Sequence, residues 1–353
     1  MVDLTTTPSA IASAMQAFHP SHFGFRLRDG VPINHHGEFS WQKSYPHIGE
    51  VYYTQLDWQH ANQFFQWNDI QLSGLRVINA LQHSVWGLEE SDLTSALDMS
   101  NLVETGGSMG IAYRAETGLT AEGWLGFVLG YGARNGILAS RFLAVHPSVR
   151  KSGIARDMKL LQAYAALNTG HHAAEWTFDP MRSVNAYLNF NKLGAFTERY
   201  KINKYGALKT KLYGDVPSDR FVVRWNFTDS SVQAHIHGKA KPIVFNLEDV
   251  PTATPVNVQT AIDERWPLIK LPIPYDIDQL AATKPNEAQE YRATVREVCS
   301  RLLNAEIPKV DTDTVPDPAF AWVEHRSGIY RLIRTITDAT HQQSFYIFQL
   351  KEQ

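Results

Sequence analysis

The chain lacks the features that mark several classes of protein. It has one cysteine, Cys299, among 353 residues, so no intrachain disulfide can form and a reducing compartment is expected. No apolar stretch approaches the roughly 20 residues that a membrane-spanning helix requires, and the N-terminus shows no signal-peptide pattern. The formal net charge is only -3, which gives no indication of nucleic acid or an anionic membrane as a partner. We therefore expect a cytoplasmic protein.

Two common phosphate-binding motifs are also absent. A P-loop requires G-x-x-x-x-G-K-[ST] and a Rossmann turn requires three spaced glycines, and the sequence contains neither. The histidine pairs at 35/36, 171/172 and 235/237 have no cysteine or acidic neighbour at ligand spacing. No metal site is predicted, and these histidines are expected in solvated loops.

The length and an apolar content of 44% suffice for two domains with sizeable cores. Residues 1–70 are aromatic-rich and weakly periodic, and we interpret them as an N-terminal extension to which no element is assigned. Residues 71–230 alternate strand and helix patterns. Residues 231–353 are interpreted as a linker and a small α+β lobe, with a helix around Cys299 that predicts a packed thiol, and a hairpin turning at Ser327-Gly328.

Within the middle region the periodicity predicts a definite order of elements. "LRVINALQHSVWG" begins like a strand and continues as a helix to about residue 101. "SMGIAYRAETG" and "EGWLGFVLGYGARNGILASRFLAV" are typical of antiparallel strands, with a type I′ turn at Asn135-Gly136 because both residues tolerate positive φ. A helix follows Gly153 and ends before Gly170. A strand ("AAEWTFDP"), a helix ("MRSVNAYLNFNKLG") and two strands ("TERYKINKYG", "RFVVRWNF") complete the region.

The junction "AVHPSVRKSGIARDM" indicates an anion site. The first amides of a helix have no intrahelical acceptor, and the helix dipole adds partial positive charge beside them. Gly153 lets a ligand approach the backbone where a Cβ would block it. Arg150 and Lys151 add full charges on the same loop, so a diphosphate is the natural ligand.

This junction resembles the central motif of the GNAT superfamily of CoA-dependent N-acyltransferases. That motif is an apolar strand ending V-x-P, followed by [QR]-x-x-G-x-[GA] opening a helix, and this chain has Val145-His146-Pro147 and then Arg150 to Ala155. A branch of longer acetyltransferase-like proteins is similar through "WTFDPMRSVNAYLNFNKLGA", "NKYG", "PSDRFVVRW" and a C-terminal extension. The resemblance implies an α/β (α+β) fold, in which helices flank a mixed, mostly antiparallel sheet between the N-terminal extension and the C-terminal lobe.

The resemblance also implies a co-substrate, acetyl-CoA or another acyl-CoA, and the residues that bind it. Leu143 and Val145 would pair with pantetheine, although both could simply be core strand, and an amide near Leu143 or Ala144 would polarise the thioester carbonyl. The early-helix asparagine of the superfamily falls on Ser183, with Asn185 displaced by two. The pyrophosphate would be held by the backbone amides of Lys151, Ser152, Gly153, Ile154 and Ala155, with Arg150 beside them.

The proton-transfer groups are less well defined. Many superfamily members place a tyrosine four residues before the glycine that ends the second helix, but this chain has Phe190 there, so Tyr187 or Asn191 could substitute, or no acid is needed. Period two places Glu175, Thr177 and Asp179 on one face of their strand. Glu175 or Asp179 could take the amine proton directly or through water. Asp179 could instead cap the next helix, and Glu175 could lie at a solvated strand end.

Arg182, Arg220 and Arg224 are candidates to hold a carboxylate of the acceptor, because guanidinium binds carboxylate bidentately. Each could also be a surface ion-pair partner. Tyr200, Asn203 and Tyr205 are further candidates for the acceptor side.

Three functions are compared. The leading hypothesis is an acyltransferase, most simply an acetyltransferase, that acts on a small amine such as an amino acid by direct attack in a ternary complex. A CoA-binding sensor or assembly module without catalysis is the alternative, and a structural protein that has lost its ligand is a third. We expect a small-molecule amine as partner, no nucleic acid and no membrane, and leave a homodimer open.

Overall fold

The computed structural model describes most of the chain. The described residues are 7–28, 40–56, 79, 82–83, 85, 93–95, 98–99, 101–102, 105–118, 122–206, 216–241, 243–309 and 322–352. Most of the strand-and-helix segment predicted after Leu75 lies outside them, as do His35 and His36. Described residues up to Trp176, together with 226–233, form a first compact unit, and the other described residues form a second.

The secondary structure alternates strands with mostly short helices. The helices are α1 Pro8–Ala17, α2 Ile154–Asn168, α3 Ser183–Ala186, α4 Ser230–Ile236, α5 Val258–Asp263, α6 Ile277–Thr283 and α7 Pro285–Leu302. The strands are β1 Arg26–Leu27, β2 Ser40–Tyr45, β3 Gly49–Leu56, β4 Ser108–Arg114, β5 Trp124–Gly132, β6 Ile137–Val145, β7 Ala173–Phe178, β8 Phe196–Lys201, β9 Arg220–Asn226, β10 Leu268–Pro274, β11 Asn304–Lys309, β12 Trp322–Arg326, β13 Tyr330–Asp338 and β14 Gln343–Leu350. A π-helical turn, Tyr187–Lys192, continues α3.

In the first unit the strands follow the order β1-β2-β3-β4-β5-β6-β7, and all neighbours are antiparallel except β6 and β7. Met109, Ile111, Phe127 and Leu129 are almost fully buried in its core. Helix α2 is buried on nearly all sides. The predicted fold class, a mixed and mostly antiparallel sheet flanked by helices, is confirmed.

The turn between β5 and β6 was also predicted correctly. Asn135 and Gly136 have φ values of 64° and 65°, as a type I′ turn requires. Further along β6, Leu129 faces Phe142 while Gly130 faces Ser140, so Arg141 is the extra residue of a β-bulge.

In the second unit the strand order is β9-β8-β13-β14-β10. Strand β11 pairs in parallel with β8, and β12 pairs antiparallel with β11. The predicted hairpin at Ser327-Gly328 is wrong, because β12 pairs with β11 while β13 pairs with β14. The Gly328 amide donates to Asn304 Oδ1 at 2.9 Å, and a Cβ at Gly328 would lie 2.3 Å from the Leu302 carbonyl oxygen. The segment therefore crosses the end of α7 instead of reversing. Cys299 in α7 is fully buried, as predicted.

Candidate functional site

The first unit contains a fork between two strands. Strands β6 and β7 pair over only three residues each, Ile137–Ala139 with Ala173–Glu175. The His146 amide donates to the Leu125 carbonyl of β5 at 2.8 Å. Because amides alternate in direction along an antiparallel strand, those of Leu143 and Val145 face the other edge of β6. No described strand pairs with that edge beyond Ala139, so Leu143 and Val145 have the orientation that pairing with an extended ligand requires.

The loop between β6 and α2 presents open backbone amides. Lys151 and Gly153 have positive φ values of 65° and 99°. Among the described residues, the amides of Lys151, Gly153 and Ala155 have no hydrogen-bond acceptor. The Ile154 amide donates to Ser152 Oγ at 3.3 Å. Apart from Gly153 and its two chain neighbours, no described residue has an atom within 4 Å of where a Gly153 Cβ would be. The amides stand at the positive end of the α2 dipole and can bind an anion.

Buried charge holds the start of α2 in place. Asp157, in the first turn, is only 3% exposed, and Lys43 Nζ lies 2.6 Å from its Oδ2. The Tyr45 hydroxyl donates to the same oxygen, and burial raises the pKa of Tyr45. Lys43 and Tyr45 belong to β2, in the segment to which the sequence analysis assigned no element. The loop amides are thus positioned by a strand that precedes them by about a hundred residues.

A buried lysine near the fork was missed by the sequence analysis. Lys159 of α2 is 3% exposed, and its Nζ lies 2.6 Å from Ser140 Oγ and 4.0 Å from the centre of the Trp176 ring. Burial lowers the pKa of Lys159 to about 7. The position of Lys159 inside a helix rich in apolar residues was the sequence feature that could have indicated its burial. Glu175, half-buried, faces Ala139 in the last pair before the fork.

Asp179 belongs to the second unit and is 3% exposed. Its Oδ1 accepts from the Met181 amide at 2.9 Å and lies 3.5 Å from Arg292 Nη1. Its Oδ2 is buried, with no hydrogen-bond partner in the described part of the chain. The capping alternative is wrong, because Asp179 to Arg182 form a turn and Arg182 occupies the N-cap position of α3. Asp179 therefore retains an unused acceptor.

A cavity of about 770 Å³ adjoins Asp179 within the second unit. Met181, Val216 and Val295 give it an apolar wall, and Arg292 and Arg296 of α7 a cationic one. Arg296 is committed to Asp219, with two hydrogen bonds of 2.8 and 2.6 Å. Arg292 is held less tightly than Arg296, since its Nη1 lies 3.5 Å from Asp179 Oδ1. The cavity has the size and mixed lining of a small-molecule site.

The predicted acid candidates differ in their surroundings. Phe190 is buried against Phe178. Asn191 donates to the Thr335 carbonyl at 2.8 Å and accepts from the Thr335 amide at 3.0 Å, so it anchors β13. Tyr187 on the π-helical turn is 41% exposed, and Asn185 is exposed in α3. Tyr187 remains the accessible hydroxyl of this helix.

The predicted acceptor-binding arginines are engaged by protein groups. Arg182 forms an ion pair with Asp278. Arg220 is 6% exposed and donates to the Asp219 carbonyl at 2.7 Å. Their role toward an acceptor remains a prediction.

Tyr205 lies beside two cationic side chains, Lys204 and Arg220, an arrangement that the sequence did not predict. Its hydroxyl lies 2.8 Å from Lys204 Nζ and 3.2 Å from Thr177 Oγ1, and the Arg220 guanidinium lies 5.3 Å from the ring centre. Burial raises the pKa of Tyr205, but the hydrogen bonds from Lys204 and Thr177 and the two positive charges outweigh it and lower that pKa overall.

The described residues include no group of three or more histidine, cysteine or acidic side chains that could hold a metal ion. His171 is 9% exposed and bonds Thr169 through Nδ1, so the prediction that it is solvated is wrong. Within the same residues, no helix has the length and apolarity needed to cross a membrane.

Comparison with known proteins finds similarity among solved structures. No family model and no curated protein matches the chain. An IAA acetyltransferase from Bacillus cereus is 12% identical with a TM-score of 0.36, over 50% of this chain and 99% of its own. A GNAT-family acetyltransferase from Staphylococcus aureus is 10% identical with a TM-score of 0.32, over 50% and 99%. A Bacillus subtilis acetyltransferase in complex with CoA is 13% identical with a TM-score of 0.33, over 42% and 90%. Each of these three solved structures is described as an acetyltransferase.

Proposed function

We propose that the protein is a CoA-dependent N-acyltransferase that moves an acyl group, acetyl in the simplest case, from acyl-CoA to a small amine. The observation that carries the proposal is the set of open amides at Lys151, Gly153 and Ala155, at the start of α2. A diphosphate bridging these amides satisfies donors that have no acceptor among the described residues. Arg150 and Lys151 are exposed on the same loop and add positive charge.

The open edge of β6 provides the next part of the site. Pantetheine lies along this edge and pairs with the backbone of Leu143 and Val145. The Leu143 amide, on this open edge, polarises the thioester carbonyl and stabilises the negative charge of the tetrahedral intermediate. The Ala144 amide faces β5, because amides alternate in direction along the strand. The amine nitrogen bonds to the carbonyl carbon, the C–S bond breaks and CoA thiolate departs. Cys299 takes no part, since it is fully buried and burial raises its pKa.

Proton transfer is assigned to the predicted groups. An ammonium ion must lose a proton before it can attack, and Glu175 or Asp179 accepts it. Tyr187, as an exposed hydroxyl, is the candidate that protonates the departing thiolate. Thiolate is a tolerable leaving group, so its protonation contributes less to the rate than deprotonation of the ammonium does.

The cavity beside Asp179 is the proposed site for the amine. Asp179 lines the cavity and supplies negative charge for an ammonium group, Arg292 pairs with a carboxylate, and the apolar wall accommodates a hydrocarbon side chain. These three features together suit an amino acid or a related zwitterion.

Binding and turnover test the proposal separately. Acetyl-CoA at 100 times its Kd should stabilise the protein by about 2.7 kcal/mol, seen as a higher Tm. Release of CoA thiol should then appear with some member of a panel of amino acids and polyamines, with acetyl-CoA or succinyl-CoA as donor. No rise in Tm at millimolar acyl-CoA would exclude the proposal. A rise without thiol release would support the sensor alternative, which the replacement of the usual tyrosine by Phe190 favours.

Asp179→Asn should weaken use of the amine. The change keeps the shape of the side chain but removes the charge that faces the ammonium, an interaction that contributes about 1.5–3 kcal/mol. We expect kcat/KM for the amine to fall about tenfold to a hundredfold, with the acyl-CoA-induced rise in Tm unchanged. Asp263→Asn, at an exposed position of α5, is the matched control. Wild-type amine kinetics in Asp179→Asn would show that the amine binds elsewhere.

A further inference from the structure

Lys159 marks the point where β6 and β7 separate. The last paired residues are Ala139 and Glu175, so Ser140 and Trp176 are the first residues beyond the pairing on each strand. The Lys159 amine contacts both, at 2.6 Å from Ser140 Oγ and 4.0 Å from the Trp176 ring centre. The amine therefore lies at the fork, on the side that α2 covers.

The charge of this amine has no counterion within the described part of the chain. No aspartate or glutamate among the described residues forms an ion pair with Lys159, which is 3% exposed. Burial lowers its pKa to about 7, so the amine is partly protonated at neutral pH. A buried ammonium is costly unless an anion neutralises it, and the face of Trp176 compensates only in part.

A buried amide group beside Lys159 lacks a hydrogen-bond acceptor among the described residues. Gln162, three residues further along α2, is 1% exposed. Its Oε1 accepts from Ser140 Oγ at 2.9 Å and from Lys159 Nζ at 3.2 Å. Its Nε2 is buried without a hydrogen-bond partner in the described structure. A buried donor without a partner costs about 1–3 kcal/mol. A ligand oxygen that carries negative charge would accept from Gln162 Nε2 and neutralise the Lys159 ammonium.

The proposed co-substrate reaches this point, and here the inference rests on the proposed function. Five residue steps separate Val145 from Ser140, and at about 3.3 Å per residue they span at most roughly 17 Å, since the β-bulge at Arg141 shortens the strand. This is comparable to the length of an extended pantetheine arm. With the diphosphate on the loop amides and the arm along β6, the acyl group lies at the fork.

We infer that the acyl group carries a carboxylate of its own, so that the donor is the CoA thioester of a short dicarboxylic acid, of the size of succinyl. Its distal carboxylate accepts hydrogen bonds from Lys159 Nζ and Gln162 Nε2. In the transfer the amine nitrogen bonds to the thioester carbon, the C–S bond breaks, the amine proton passes to the base and CoA thiol is released. The distal carboxylate is unchanged. An acetyl group would leave the Lys159 ammonium without a counterion and Gln162 Nε2 without a hydrogen-bond acceptor.

The test compares two acyl chains of equal length. Succinyl-CoA and butyryl-CoA both carry four carbons, and only the first has a terminal carboxylate. By calorimetry on the full chain, we expect succinyl-CoA to bind at least tenfold more tightly than butyryl-CoA, and this preference to diminish as the pH rises and Lys159 loses its charge. Lys159→Met should remove the preference, whereas Lys159→Arg, and Lys239→Met at an exposed position, should retain it.

The outcomes separate the two proposals. Equal affinity for the two thioesters in the wild-type protein overturns this inference and leaves the acyltransferase proposal in place. The inference also fails if Lys159→Met keeps the wild-type preference. If acetyl-, butyryl- and succinyl-CoA all fail to bind, the proposed function fails as well.

Discussion

Gly153→Val should abolish acyl-CoA binding in a protein that still folds. Gly153 has φ 99°, and a Cβ there would have no atom of a described residue within 4 Å apart from its own and its two chain neighbours'. The new side chain therefore meets no protein group, but it fills the space above the open amides through which a diphosphate must approach. It also strains a backbone conformation that β-branched residues disfavour. We expect affinity for acyl-CoA to fall at least a hundredfold and the acyl-CoA-induced rise in Tm to disappear.

Gly170→Val supplies the matched control. Gly170 follows the other end of α2, with φ 82°, and a Cβ at this position would likewise have no described atom within 4 Å beyond its chain neighbours. Each valine should lower the free energy of unfolding by about 1–3 kcal/mol, because both residues are forced into the left-handed region. Only the change at 153 should affect the ligand. Tight acyl-CoA binding by Gly153→Val would show that the diphosphate binds elsewhere.

Raising the pH should stabilise the ligand-free protein through Lys159. Burial holds its pKa at about 7 in the folded state, against 10.5 for an ordinary lysine. Between these values the unfolded chain binds a proton that the folded chain does not, so the free energy of unfolding increases with pH. The slope reaches about 1.4 kcal/mol per pH unit. Below pH 7 both states are protonated, and the lysine destabilises the fold by a constant amount.

Urea unfolding from pH 6 to pH 9 measures this effect. The wild-type protein and Lys239→Met should become more stable relative to Lys159→Met as the pH rises, because the methionine lacks the titrating group. Other groups titrate alike in all three proteins and cancel in the difference. Parallel stability curves for wild type and Lys159→Met would mean that the buried amine keeps its proton.

The parts of the fold and site that could be predicted depend on local signals. Asn135-Gly136 specifies its turn through two adjacent residues that tolerate positive φ. The loop from Arg150 to Ala155 lies between a strand and a helix that the spacing of apolar residues in the sequence predicts. Ser327-Gly328 has similar turn chemistry, but Gly328 lies against the end of α7 and the adjoining strands pair elsewhere. A turn signal fixes a local bend, and it does not fix which strands become neighbours.

The features that could not be predicted depend on distant residues. Asp179 was singled out from its strand, but its unused oxygen and its cavity become visible only when α7 supplies Arg292. Lys159 occupies a position that a solvated helix would expose. Its burial follows from Ser140 and Trp176, which come from two other strands.

The contact of Lys43 and Tyr45 with Asp157 limits how far the chain can be shortened. A fragment beginning at residue 71 would lose β2 and β3. The Asp157 carboxylate would lose Lys43 and Tyr45, and the hydrogen-bonding edge of β4 would be uncovered. Helix α2 would then lack the contacts that fix its first turn. The unpaired edge of β4 would favour association between copies of the fragment. The first strands thus hold in position the loop at which we propose that the co-substrate binds, although they contribute none of the loop amides themselves.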